Sequence, residues 1–108
     1  MKAYKVFIEQ EDGILSSIFH FFNFKDGENI YEKDTRGFLS WSKKKEAERY
    51  EETLVAKWFD KIVIKEIIVE EKDILKKQKE RLYTKERAKK LNIKNPYGIA
   101  IYSEKIYI

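Results

Sequence analysis

Apolar residues in this chain recur at two periods, and the changes from one to the other divide it into elements. Tyr4-Lys5-Val6-Phe7-Ile8-Glu9 is rich in β-branched and aromatic residues. It precedes Glu11-Asp12-Gly13, and Asp-Gly between apolar runs is a short-range hairpin signal. From Ile14 to Phe24 the chain partly alternates. Ile18, His20, Phe22 and Phe24 fall on one side, and Phe19, Phe21 and Asn23 on the other. Aromatics on both faces predict a strand covered on each side. Lys25-Asp26-Gly27-Glu28 reads as a turn, Asn29-Ile30-Tyr31 as a short strand, and Asp34-Thr35-Arg36-Gly37 as a turn into Phe38-Leu39-Ser40-Trp41.

The period then lengthens. Ser42 is placed as a helix N-cap, and Ala47, Tyr50, Leu54 and Trp58 recur at spacings of three and four. That stripe predicts a helix from Lys43 to about Trp58. Lys61 to Val69 is almost wholly β-branched and predicts a strand with Ile62, Ile64 and Ile68 as core. Asp73 is expected to cap a second helix through Ile74–Leu82, with Thr84 as a fresh cap for Lys85–Leu91 and Asn92 and Pro96 as stops. The tail alternates from Tyr97 to Tyr102 and again from Lys105 to Ile108, which reads as a final hairpin. The expected fold is α+β, one domain over residues 1–108. It has a mainly antiparallel sheet of five to seven strands, one or two helices packed on one face, and a C-terminal β-hairpin.

Charge changes this picture, because it is sorted along the chain. Residues 1–75 carry 13 Lys and Arg against 16 Asp and Glu, whereas residues 76–108 carry 10 against 3. Eight of those ten bases lie between Lys76 and Lys90. An acidic-to-neutral body with a basic segment points to a polyanionic partner, either nucleic acid or an acidic protein surface. The chain has no Cys, which excludes disulfides and thiolate metal sites and suits a reducing cytosol. No apolar run approaches the roughly 18 residues of a membrane span, and the N-terminus lacks the pattern of a signal peptide. A cytoplasmic protein with no membrane partner is the expectation.

Candidate chemistry is sparse. His20, the only histidine, sits among phenylalanines and reads as a structural residue of the core or its rim. With one His and no Cys, a metal site would rest on carboxylates and suit Mg²⁺ or Ca²⁺. Glu70, Glu71 and Asp73 form the densest such group, but they read as a strand-to-helix loop with its cap. No catalytic residue, metal ligand or cofactor is assigned. The basic segment carries the functional expectation: Lys76, Lys77, Lys79, Arg81, Tyr83, Lys85, Arg87, Lys89 and Lys90 as partner-binding residues. At helical spacing Lys77, Arg81 and Lys85 share one face. Several cations approaching a phosphate backbone together is what nucleic-acid binding requires, although no zinc-finger spacing, aromatic ribonucleoprotein signature or glycine-loop clamp is present.

Tyr4-Lys5-Val6, Gly37-Phe38-Leu39-Ser40-Trp41 leading to Glu46-Ala47, and Ile64-Lys65-Glu66-Ile67 form a layout that resembles small phage and prophage proteins. In those a Lys/Val strand, a Gly-Phe strand and an Ala-bearing helix recur. Where members carry a His soon after the Gly-Phe pair, Ser40 stands here. Size, absence of Cys and uneven charge also resemble phage-encoded inhibitors of host defence such as anti-CRISPR proteins. The resemblance implies a small non-enzymatic inhibitor that docks on a host protein or ribonucleoprotein complex in the host cytoplasm. The alternative is a protein that binds, or as a small nuclease cleaves, RNA or DNA directly.

Overall fold

A computed structural model of the chain describes residues 1–17, 22–31, 37–53 and 61–108. His20, the middle of the expected 14–24 strand, and Leu54 and Trp58 of the expected helical stripe lie outside the described residues. The elements are β1 (Lys2–Glu9), β2 (Leu15–Ser16), β3 (Glu28–Ile30), β4 (Phe38–Trp41), α1 (Lys44–Thr53), β5 (Ile62–Ile68), β6 (Ile74–Arg81), α2 (Lys85–Lys90), β7 (Tyr97–Ser103) and β8 (Lys105–Tyr107). Every strand pair among the described residues is antiparallel. The fold is therefore α+β, with two described helices and a mostly antiparallel sheet, α1 packing against β1, β4 and β5.

Strand order is β3-β8-β5-β1-β4-β7-β6, with β2 pairing the far end of β1. The two C-terminal strands form where alternation places them, but they do not pair with each other. β7 lies between β4 and β6, and β8 lies between β3 and β5. Four strand spacings separate them in the order, roughly 19 Å in a flat sheet. Glu104 is the single residue between them, which spans about 7 Å at most from Ser103 to Lys105. The sheet must therefore curl, and the β7–β8 chain bends around it.

Curling gives the two faces different partners. Ala3 and Phe7 of β1, Phe38 of β4, Ile67 of β5, Ile101 of β7 and Ile106 of β8 meet Phe24 and Val69 in one buried cluster on the inner face. Phe22, Phe24 and Phe38 stack edge-on or tilted at 4.8–5.3 Å between ring centroids, and Phe7 meets Phe24 at 5.0 Å. The outer face buries Val6, Trp41 and Ala100 against Ala47 of α1 and Leu82. Close approach of backbones at the curl explains Gly37. Its φ is 74°, and a Cβ there would lie 2.4 Å from the Ser103 carbonyl oxygen.

Helix α1 begins one residue later than a Ser42 cap would place it: the Lys43 carbonyl accepts its first helical bond, from the Ala47 N–H, and Glu46 supplies the capping carboxylate. One of its carboxylate oxygens, Oε1, accepts from the Ser42 hydroxyl at 2.6 Å, the Lys43 N–H at 3.3 Å and the Ile99 N–H at 3.2 Å. The last bond lashes the helix to β7. A carboxylate at this end also offsets Lys43, Lys44 and Lys45 at the positive end of the helix dipole.

Two sequence expectations are corrected here. On β5, Ile67 is 1% exposed whereas Ile68 is 43% exposed, so Ile68 is not core. Ile62 and Ile64 only half-bury against the outer cluster. Pairing with β1 (Ala3↔Ile67, Phe7↔Val63) turns Val63 and Ile67 inward, and the faces alternate from there. The second correction is larger: residues 74–81 form a strand and not a helix. Lys, Gln, Glu and Arg favour helices, but only by a few tenths of a kcal/mol per residue. Residues 76–81 contain no apolar side chain, so a helix there would have no face to bury. As the outermost strand, the segment satisfies the backbone of β7 while its own side chains stay in water. Asp73, expected as the helix cap, instead closes a 3₁₀ turn (Glu71–Asp73) and is buried.

Candidate functional site

The basic segment is an edge strand that runs into a capped helical turn. β6 pairs with β7 from Ile74↔Ser103 to Arg81↔Tyr97, with an irregularity between Ile74 and Lys76. Side chains opposite one another in an antiparallel pair share a face. Lys76, Gln78 and Glu80 thus stand with Tyr102, Ala100 and Gly98 on the outer face. Lys77, Lys79 and Arg81 stand with Ile101, Ile99 and Tyr97 on the inner face. Gly98 sits in a tight place on the outer face, since a Cβ there would meet Leu82 Cδ1 at 2.6 Å and Trp41 at 3.2 Å.

This changes which cations act together. The expected row of Lys77, Arg81 and Lys85 assumed a helical repeat. The strand repeat places Lys79 between Lys77 and Arg81, and moves Lys85 to the next element. Successive members of the new row are about 6.6–6.8 Å apart along the strand. Tyr97 holds two of them. Its ring lies 4.6 Å from Lys79 Nζ and 4.9 Å from the Arg81 guanidinium, and Arg81 Nη2 donates to its hydroxyl at 2.9 Å. Arg81 Nη1 also donates to the Tyr83 carbonyl at 3.3 Å.

Tyr83 itself is a joint. The Arg49 guanidinium of α1 lies 4.3 Å from its ring centroid, and Arg49 Nε donates to the Leu82 carbonyl at 2.9 Å. Beyond it Thr84 caps α2 as its position suggests, accepting from the Arg87 N–H at 3.1 Å. At the other end Asn92 adopts φ 56°, the Asn92 N–H donates to the Lys89 carbonyl, and the Ile93 N–H donates to that of Ala88. These two bonds make a left-handed cap of the Schellman type. Both ends being closed lets a six-residue helix persist. Ala88 is its buried residue, and Lys85, Arg87, Lys89 and Lys90 are exposed.

The structure therefore brings Lys76, Lys77, Lys79, Arg81, Lys85, Arg87, Lys89 and Lys90 onto one continuous β6–α2 rim, all exposed. Among the described residues, one of them makes an ion pair, Lys77 with Glu71 at 3.7 Å. Both side chains are largely solvated, so the pair is worth about 1 kcal/mol or less. Glu80 on the same strand is engaged by the Tyr102 hydroxyl at 2.9 Å. No family model, curated protein or solved structure matches this chain.

The other candidates disperse. Glu70 pairs with Lys72 at 3.2 Å, Glu71 with Lys77, and Asp73 is buried. Among the described residues no three His, Cys, Asp or Glu side chains gather as a metal would need. No helix among them is long and apolar enough to cross a membrane.

Two features of the fold escaped sequence reasoning. Tyr97 reads as one residue of an alternating tail, and its hold on Lys79 and Arg81 appears only once residues 74–81 are taken as a strand. The other is Lys5, on the inner face of β1 between Ala3 and Phe7. It is 6% exposed, its Nζ donates to the Leu39 carbonyl at 2.8 Å, and the rings of Phe7, Phe24 and Phe38 lie 5.5–5.9 Å away. Burial pulls its pKa from 10.5 down to about 7. A strict alternation count over residues 3–7 would have turned Lys5 inward.

Proposed function

We propose that this protein is a non-catalytic binder that docks its β6–α2 rim on an anionic surface of a partner protein or ribonucleoprotein complex. The observation that carries the reading is the rim itself. Eight exposed bases stand on one capped, continuous unit, with a single weak ion pair among the described residues. Such a surface focuses positive potential and accelerates encounter with an anionic partner. Inhibition of a host complex by a phage or mobile-element protein is the setting that the sequence resemblance supplies. Direct binding to RNA or DNA would use the same cations, but Tyr97, the aromatic ring at the Arg81 end of the inner row, already holds cations where a base would stack.

The test is salt-dependent retention on immobilised polyglutamate, on heparin and on single-stranded oligonucleotide. The variant carrying Lys77→Gln, Lys79→Gln and Arg81→Gln keeps the fold, because all three side chains are exposed. It is expected to elute from polyglutamate at clearly lower salt than the wild type, since solvated charges act within a Debye length of about 8 Å at physiological ionic strength. Retention on oligonucleotide alone, with a steep log–log salt slope, would replace a protein partner with nucleic acid. Equal elution of variant and wild type from all three supports would mean that the rim's charge serves solubility.

A further inference from the structure

The cations of β6 sit on a strand whose outer edge pairs with no other strand among the described residues. β6 ends the strand order and pairs with β7 alone among the described residues, so alternate residues turn backbone N–H and C=O groups away from the sheet. We infer that β6 takes up an extended acidic segment of a partner protein as an added strand, with carboxylates at alternate positions facing Lys77, Lys79 and Arg81. This rests on the rim being the docking surface and specifies how the partner is held.

Three observations lead there. The first is the match of repeats. An added strand presents its own same-face side chains every 6.6–6.8 Å or so, the spacing of the Lys77, Lys79 and Arg81 row. Each carboxylate at every second position therefore meets one cation at cross-strand distance. The backbone groups of the open edge supply affinity, and the side-chain row supplies selectivity. The second is that two of the row's three cations are held before binding. Tyr97 fixes Lys79 and Arg81 through ring contacts and the 2.9 Å hydrogen bond, which lowers the ordering cost of binding.

The third observation concerns what the edge rejects. Two copies of β6 meeting edge to edge would set like charges against one another, so the row that invites an acidic strand also prevents self-pairing. On the outer face Glu80 stands beside Gln78 and is tied to the Tyr102 hydroxyl. An acidic residue of the guest that falls opposite Glu80 is repelled. A guest with carboxylates on one face only is therefore preferred to one that is acidic throughout, and its register is set. A nucleic-acid strand has no use for the open backbone edge as a ladder, and the Tyr97 ring is already engaged by two cations.

The experiment uses the whole chain, three peptides of equal length, a Lys-substituted form of the first, and a single-stranded oligonucleotide. The first is a ten-residue peptide alternating Glu with Thr and Val, the second is its isomer with all glutamates contiguous, and the third is the alternating peptide N-methylated at alternate backbone positions along one edge. Fluorescence anisotropy is expected to show the alternating peptide binding at least tenfold more tightly than the contiguous isomer, and methylation on the pairing edge removing that advantage. Lys79→Glu should lose the alternating peptide and regain it when Lys replaces the facing Glu. Lys79 is exposed, so the variant folds. Equal binding of all three peptides with a strong salt dependence would overturn strand addition while leaving the rim as a polyanion surface. Binding of an oligonucleotide but none of the peptides would overturn the acidic-peptide partner. Failure of every anionic probe would overturn strand addition together with the docking reading on which it rests.

Discussion

Replacing Lys5 with Met is expected to stabilise the protein at neutral pH and to change how stability depends on pH. The side chain is buried on the inner face among Phe7, Phe24 and Phe38, and no ion pair among the described residues includes it. Burial lowers its folded pKa to about 7, against 10.5 for the exposed group. Below pH 7 the amine is charged in both folded and unfolded chains, and the full cost of burying the charge is present. Between pH 7 and 10.5 the unfolded chain holds a proton that the folded chain has released. In that window this group makes stability rise with pH, by up to about 1.4 kcal/mol per unit. Above 10.5 it is neutral in both states and the cost is gone. Methionine fills similar volume without the charge, although it leaves the Leu39 carbonyl without its 2.8 Å donor, a loss of about 1–3 kcal/mol. A net gain of about 1–3 kcal/mol near pH 7 is expected, with the rise between pH 7 and 10 flattened. Denaturant melts at several pH values check both. A variant less stable than wild type at pH 7, with the slope retained, would show that the ring faces and the carbonyl hold the ammonium better than water does.

The second large effect separates neighbours on β5. Ile67→Ala removes a side chain that is 1% exposed from the inner cluster, and a cost of about 2–5 kcal/mol is expected. Against the roughly 5–15 kcal/mol of a small domain, that is a large share. Ile68→Ala, at a position 43% exposed, should cost under about 1 kcal/mol. Thermal melts of the pair decide the register, because a slip of one residue would exchange the two results.

Much of the fold was legible in the sequence, and the failures share a cause. Strand Tyr4–Glu9, the Phe38–Trp41 strand, the Thr84 cap and the Asn92 stop stood out because local chemistry sets them. Residues 74–81 did not, because their propensities favour a helix and the reason for a strand lies in β7, more than twenty residues away in the pairing of Lys76 with Tyr102. β7 and β8 were both visible as strands, but their partners were not, since curl is a property of the whole sheet. The bases of residues 76–90 are exposed whichever period they follow. Their grouping was not legible, because changing the period from helix to strand exchanged Lys85 for Lys79 in the facing row.

The β6–α2 rim is the surface proposed to meet an anionic partner. The most direct test of that role is to titrate the isotope-labelled protein with polyglutamate and follow the amide resonances. The largest shifts are predicted along residues 76–90, reversed by salt and reduced in the variant with Lys77, Lys79 and Arg81 changed to Gln. Shifts centred instead on Lys43, Lys44 and Lys45, the other exposed run of bases, or spread evenly over the surface, would contradict it.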